Sequence, residues 1–292
     1  MKELVVISGK GGTGKTSLVG AFSYLADKKV ITDCDVDAAD LHLLLHPKII
    51  ESHAFEGGKK AVIDKEKCIR CGECFSYCRF NAVSEEIEIN EFLCEGCGLC
   101  GAVCPESAIS LRKEIAGDWF VSTTAYGPFV HARLGIAQEN SGLLVAKVRD
   151  AAKKIAKEEG RDLILIDGSP GVGCAVISSI TGADLVLIVT EPTQSGLHDL
   201  NRVMDLTAHF QIKTLVCINK YDINQEISDS IGQICVDRGS ILLGRIPYDS
   251  TVTKAQVFGR TVVEEQYRAS KAAASVEALW DSVNVYLKSC GK

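Results

Sequence analysis

Leu4-Val5-Val6-Ile7-Ser8 runs directly into Gly9-Lys10-Gly11-Gly12-Thr13-Gly14-Lys15-Thr16, and this junction decides the fold. The first run reads as a strand buried on both faces, because nothing polar interrupts it before Ser8. The next eight residues fit G-x-x-x-x-G-K-[ST]. Leu18, Val19, Phe22 and Leu25 then recur at helical spacing within 15–27. A glycine-rich turn between strand and helix lets successive backbone N–H groups face inward and cradle phosphate oxygens, with the helix dipole behind them. Gly9, Lys10, Gly11, Gly12, Thr13, Gly14, Lys15 and Thr16 are therefore the expected phosphate loop. In it Lys15 is expected to reach the β- and γ-phosphates, and the Thr16 hydroxyl to ligate Mg²⁺.

Outward from the loop, 29–32 reads as a second strand ending in Asp33-Cys34-Asp35-Val36-Asp37. The alternation resumes downstream with a helix over 143–159 and the strand Leu163-Ile164-Leu165-Ile166, which ends on Asp167. Further strands are expected over 183–190, 214–219 and 240–246. Apolar strands separated by helices predict an α/β fold, a mainly parallel sheet with helices on both faces. In 272–288, Val276, Leu279, Trp280, Val283 and Leu287 make one apolar stripe. Glu277 and Asp281 stand where a membrane-surface helix would carry Lys or Arg, so this reads as a terminal helix packed on the core.

Residues 59–114 break the rhythm. They follow Gly57-Gly58 and hold eight of the thirteen cysteines, and between Asp64 and Leu111 nine acidic residues face four basic ones. They also repeat at an offset of 26: Cys68, Cys71, Cys74 and Cys78 recur as Cys94, Cys97, Cys100 and Cys104, and Ile63-Asp64 as Ile89-Asn90. Two early strands make no core of their own. The expected organisation is thus a discontinuous main domain, 1–58 and 115–292, with a small α+β domain inserted at 59–114.

Composition narrows the function. A chain of 292 residues with a formal charge of −6 lacks the basic surface that a nucleic-acid partner requires. No apolar run spans a bilayer, and the N-terminus lacks a signal-peptide pattern, so a cytoplasmic location is expected. Thirteen cysteines in a reducing compartment point to metal or catalytic use rather than disulfides.

With Lys10 as a second lysine early in the loop, the chain resembles the MinD/Mrp-type P-loop ATPases with a deviant Walker A motif, a group that includes the nitrogenase iron protein and cluster-carrier ATPases. The resemblance implies a nucleotide-sandwich dimer, either a homodimer or a dimer with a paralogue, in which Lys10 crosses to the partner's nucleotide. It implies Asp35 as the residue that positions the attacking water, and Asp33 and Asp167 as supports of Mg²⁺. It also implies Asn219 and the Pro247 region as the adenine site. Asn219-Lys220-Tyr221-Asp222 equally spells a guanine-reading pattern; the remaining motifs favour ATP. The stretch Glu191-Pro192-Thr193 through Leu200 is typical of the group, as is Val130-His131-Ala132-Arg133-Leu134-Gly135, which reads as a loop or interface.

Both cysteine runs read C-x₂-C-x₂-C-x₃-C, and Pro105 follows the second. The insert thus resembles a two-cluster bacterial ferredoxin, in which the fourth cysteine of each run serves the other cluster. This implies one [4Fe–4S] cluster on Cys68, Cys71, Cys74 and Cys104 and another on Cys94, Cys97, Cys100 and Cys78. Zinc sites favour two C-x₂-C pairs with a longer spacer, which these runs lack. Arg79 stands where proline often follows the fourth cysteine. The C-terminal C-x-x-C of Mrp carriers is missing, and Cys174 is expected to be a buried structural thiol. The leading expectation is an ATPase whose dimer motion gates electron transfer through two clusters to an unidentified redox partner. A cluster carrier and a MinD-like positioning protein are the alternatives.

Overall fold

The computed structural model describes residues 1–135 and 141–289. In chain order the elements are β1 (Lys2–Ser8), α1 (Lys15–Leu25), β2 (Lys29–Asp33), α2 (His42–Leu45), β3 (Lys48–Ile63), α3 (Glu73–Ser76), α4 (Leu99–Val103), β4 (Ile109–Thr124) and β5 (Gly127–Leu134). There follow α5 (Ser141–Glu158), β6 (Leu163–Pro170), α6 (Cys174–Ile180), β7 (Leu185–Thr190), α7 (Gln194–His209), β8 (Thr214–Asn219), α8 (Gln225–Asp237), β9 (Ile241–Ile246), α9 (Ser250–Val257) and α10 (Lys271–Ser289).

The strands form one nine-stranded sheet in the order β3-β4-β5-β2-β6-β1-β7-β8-β9. From β5 to β9 every neighbouring pair is parallel. The α/β expectation is met. β1, β6, β7 and β8 are central and covered on both faces, which is why each carries an unbroken apolar run, over 4–7, 163–166, 185–189 and 215–218. Between them lies the core, with Phe22 of α1 against Trp280 of α10 at a ring separation of 4.8 Å. The apolar stripe of the last helix is buried in this core.

Two helices at the carboxyl ends of the strands start on side-chain caps: the Thr193 hydroxyl accepts the Gly196 N–H before α7, and Asp249 accepts the Thr251 N–H before α9. These ends are where open parallel sheets hold ligands.

Two compact units share the chain. The first comprises Met1–Ser52, Trp119–Arg133 and the chain from Ser141 onward; the second comprises His53–Asp118 and the segment that begins at Leu134. Gly57-Gly58 is no break, because β3 runs through it. Residues 130–134, expected as a loop or interface, instead belong to β5, where Asp33 of β2 pairs with His131. The His131 ring stacks between Phe120 and Phe129, and burial pushes its pKa down to about 4.

Candidate functional site

β1 ends at Ser8, and the chain turns through the glycine loop into α1. Gly12 and Gly14 sit at φ +81° and +87°, in the left-handed region that side chains disfavour. A Cβ on Gly14 would also lie 2.3 Å from the Asn219 side-chain nitrogen, and one on Gly9 would lie 2.4 Å from Asp199 of α7. Asn219 donates to the Thr13 carbonyl at 2.8 Å, so β8 braces the loop from the side. The loop opens on a cavity of about 490 Å³. Gly11, Gly12, Thr13, Gly14, Lys15 and Thr16 line it, and so do Asp35, Asn219 and Pro247. The expected base-site residues therefore share one cleft with the phosphate loop.

Beneath the loop lies a buried charge cluster. The Lys15 amine is 2.6 Å from Asp167 and 3.5 Å from Asp35. Burial works to lower the Lys15 pKa, but Asp167, Asp35 and Asp33 outweigh it and hold it above the usual lysine value. Asp35 is pushed up to about 6, first by burial and then by Asp167, against the pull of Lys15. Burial and Asp167 together raise Asp33 well above the carboxylate range. Both Asp33 oxygens accept backbone N–H groups, from Asp35 at 3.0 Å and Leu41 at 3.2 Å. Asp33 therefore fastens the loop that leads to α2. One lysine facing three acids leaves negative charge in excess. The Asp167 Oδ2 and Thr13 Oγ1 atoms are buried without a hydrogen-bond partner. An orphaned carboxylate oxygen beside an N–H-lined phosphate loop fits a nucleotide-bound Mg²⁺, with Thr16 and Asp167 as the side chains that would hold it.

Lys10 is held away from this cluster. Its amine pairs with Glu191 at 2.7 Å and donates to Thr193 and Ser195 at 3.2 and 3.0 Å.

In the second unit the offset-26 repeat extends to the backbone. Left-handed residues precede and follow the second cysteine of each run, Arg70 and Gly72 in one and Gly96 and Gly98 in the other; Asn81 and Ser107 match likewise. Such turns direct backbone N–H groups toward one point, as an anionic group held by thiolates needs. Cys78, Cys94, Cys97 and Cys100 line one cavity of about 260 Å³, which also takes in Ala61, Arg79, Phe80, Ile89, Glu95 and Leu99. These are the four cysteines that the ferredoxin-like spacing groups across the two runs. In the other set Cys74 is buried, Cys68 and Cys104 are half-buried, Cys71 is exposed, and the Ala108 N–H points to the Cys104 sulfur at 3.3 Å. The twelve described cysteines are free thiols. Among the described residues no group of three or more His, Cys, Asp or Glu converges on a single-ion site. A thiol-lined cavity with an apolar wall and the Ala61 N–H on the Cys94 sulfur fits a polynuclear cluster.

Residues 4–262 match the family of the CobQ/CobB/MinD/ParA nucleotide binding domain. The chain belongs to this family. An uncharacterized protein of Methanocaldococcus jannaschii is 30% identical over 289 residues, covering 98% of this chain and 97% of its own length. The septum site-determining protein MinD of Pyrococcus horikoshii, solved with Mg-ADP, shares the fold with a TM-score of 0.59 and 18% identity over 100% of this chain and 99% of that one. The pyruvate synthase subunit PorD of Thermotoga maritima is 44% identical over 59 residues, 19% of this chain and 60% of PorD.

In this MinD/ParA-type domain three residues have contacts or exposure that the motifs alone do not indicate. Glu191 binds Lys220 at 3.3 Å as well as Lys10. Burial is the largest single influence on Glu191 and acts to raise its pKa, yet the two lysines together hold it below the usual value. Ser169 donates to the Cys34 carbonyl at 2.7 Å, tying the segment after β6 to the one after β2. Cys174, expected to be buried, is exposed at the first turn of α6. Cys290 lies outside the described residues. No helix among the described residues is long and apolar enough to cross a membrane.

Proposed function

We propose that this chain is an ATP-hydrolysing iron–sulfur protein in which nucleotide-driven rearrangement of a dimer gates one-electron transfer through two [4Fe–4S] clusters. When bound, the clusters supply one-electron storage. Every other part of the device is protein. Phosphate entering the loop would draw Lys15 away from Asp167 and Asp35, leaving Asp167 with Thr16 as the side chains that would hold Mg²⁺ and Asp35 as the one that would position the attacking water. Lys10, released from Glu191, then reaches the nucleotide of a second copy. The choice of ATP rests on the ATPase motifs and on the likeness to a MinD protein solved with Mg-ADP.

The observation that carries the coupling is one of chain continuity. Asp33 fastens Leu41 through a backbone bond, α2 follows at once, and β3 then runs from Lys48 to Ile63 into the unit that bears the cysteines. A ligand that prefers one arrangement of the Asp33–Leu41 loop biases that whole segment. The 59-residue likeness to PorD, close in length to the 59–114 insert, supports reading the insert as a module that also occurs apart from an ATPase.

The test uses protein reconstituted anaerobically with iron and sulfide. Midpoint potentials are measured with no nucleotide, with ADP and with a non-hydrolysable ATP analogue. A nucleotide-dependent shift, or nucleotide-dependent electron delivery to an added acceptor, is the expected outcome. Identical potentials and delivery in all three states refute the gating. Transfer of iron to an apo-ferredoxin would instead mark a carrier.

A further inference from the structure

The two cysteine sets are related by the offset of 26, but the charges beside them are not. Lys59-Lys60 on β3 corresponds to Glu85-Glu86 in the second half of the repeat. The β3 side is built onto its cysteine loop at three points. The Lys60 amine donates to the Cys94 carbonyl at 2.7 Å. The Ala61 N–H points to the Cys94 sulfur at 3.4 Å. Gly96 packs so closely that a Cβ there would lie 2.0 Å from the Lys59 carbonyl oxygen. Lys60 is half-buried, so its ammonium is fixed beside Cys94 rather than waving in solvent.

We infer that Lys60 sets the electron affinity of the group held by Cys78, Cys94, Cys97 and Cys100, making the two clusters inequivalent and this one the easier to reduce at a given local exposure. The inference rests on the cluster reading given under Proposed function. Its physics is electrostatic. Adding one electron to a thiolate-bound cluster increases its negative charge, and a fixed cation nearby favours the reduced form. The Ala61 N–H on the Cys94 sulfur acts in the same direction. Glu95, which also lines the cavity, opposes both, while Arg79 on the same lining offsets Glu95 and leaves the Lys60 ammonium as the added positive charge at Cys94. At the matching place in the other half Glu86 is acidic and exposed, and the Ile87 N–H goes to the Ser84 carbonyl rather than to a cysteine sulfur. Lys60 is a tuning residue, since it touches the Cys94 backbone and not the reacting atoms.

The experiment is a dithionite redox titration of the full-length reconstituted protein, followed by electron paramagnetic resonance, on wild type, Lys60→Met, Lys60→Gln and Lys60→Arg at one fixed nucleotide state. In Lys60→Met and Lys60→Gln one of the two midpoints falls by the equivalent of a threefold to tenfold change in the one-electron equilibrium, up to about 59 mV. The other midpoint stays in place, and Lys60→Arg restores the first. The moving signal is the one that Cys94→Ser abolishes. Glutamine keeps a donor for the Cys94 carbonyl without the charge. If Lys60→Gln titrates like wild type while Lys60→Met does not, the residue acts as a structural prop and the inference fails. Full iron content with both midpoints unmoved in all variants also overturns it. A wild-type protein that takes up no iron overturns instead the cluster reading beneath it.

Discussion

Asp35→Asn should stabilise the nucleotide-free protein, and the size of the effect follows from the charge cluster. The Asp35 carboxyl is raised from 3.8 to about 6 because it is buried beside Asp167, and Lys15 at 3.5 Å only partly compensates. At about 1.4 kcal/mol per pH unit this is about 3 kcal/mol of penalty on the ionised form. The sign follows from proton binding. The folded state holds this proton more tightly than the unfolded state, so the penalty is complete above pH 6 and is relieved as pH falls toward 3.8. Between pH 7 and pH 5 on the order of 1 kcal/mol of it should be recovered. Asparagine cannot ionise and should lack that gain. The assay is guanidinium denaturation with a metal chelator and no nucleotide, comparing wild type with Asp35→Asn at pH 7, 6 and 5. At pH 7 the variant should be the more stable by up to about 3 kcal/mol, a figure already net of the Lys15 pairing. By pH 5 the gap should have narrowed by on the order of 1 kcal/mol. Asp33 titrates in both proteins, and because the Asp35 charge helps to raise it, the substitution eases its ionisation as well and adds to the gain at pH 7. Parallel profiles would refute the assignment of excess negative charge to this cluster.

Lys15→Ala removes the cation that Asp167 and Asp35 share; it should abolish binding of a fluorescent ATP analogue and destabilise the apo-protein by about 3 kcal/mol at pH 7, less at pH 5. Gly14→Ala forces a side chain into φ +87° and against Asn219, costing about 1–2 kcal/mol in a denaturant titration; adding Asn219→Ala should relieve part of it, so the two changes should not be additive. Lys10→Ala should leave nucleotide affinity within severalfold of wild type while removing ATP-dependent dimerisation in analytical ultracentrifugation. Cys78→Ser should lower reconstituted iron from about eight to about four atoms per chain, because Cys78 closes one ligand set only.

The phosphate loop was legible because its chemistry is local: the glycines, Lys15 and Thr16 lie within eight residues of one another. Asp35 and Asp167 were legible for a related reason. Each follows a buried strand, and parallel strands deliver their carboxyl ends to one edge, so Asp33 and Asp167 come to pair in register. Glu191 stands in a stretch typical of the group, but the stretch assigns it no partner. Its partners Lys10 and Lys220 are distant in sequence, and only the fold reveals that one carboxylate restrains both. The cysteine spacing suggested the crossed ligand set, and Cys78 does line the same cavity as Cys94, Cys97 and Cys100.

The strands that escaped the sequence reading share a physical cause. β3 carries Glu51, His53, Glu56, Lys59 and Lys60 and most of it is exposed, because it is the terminal strand of the sheet. An edge strand needs no apolar alternation to be held, and charges on it discourage pairing with another chain. Its Gly57-Gly58 was read as a boundary because glycine usually punctuates. In β3, Gly57 is instead a close-approach position, where a Cβ would lie 2.5 Å from Ala116. β5 was missed because His131 and Arg133 interrupt its apolar run. His131 is accommodated between two phenylalanine rings and bonded to Ser122 at 3.0 Å, so an aromatic stack replaces the aliphatic packing that the pattern search requires. The consequence reaches function. The segment least visible as secondary structure, β3, is the one that follows the Asp33-fastened loop and carries Lys60 and Ala61 to Cys94, so the stretch on which the proposed gating relies lies where hydrophobic periodicity carries no information.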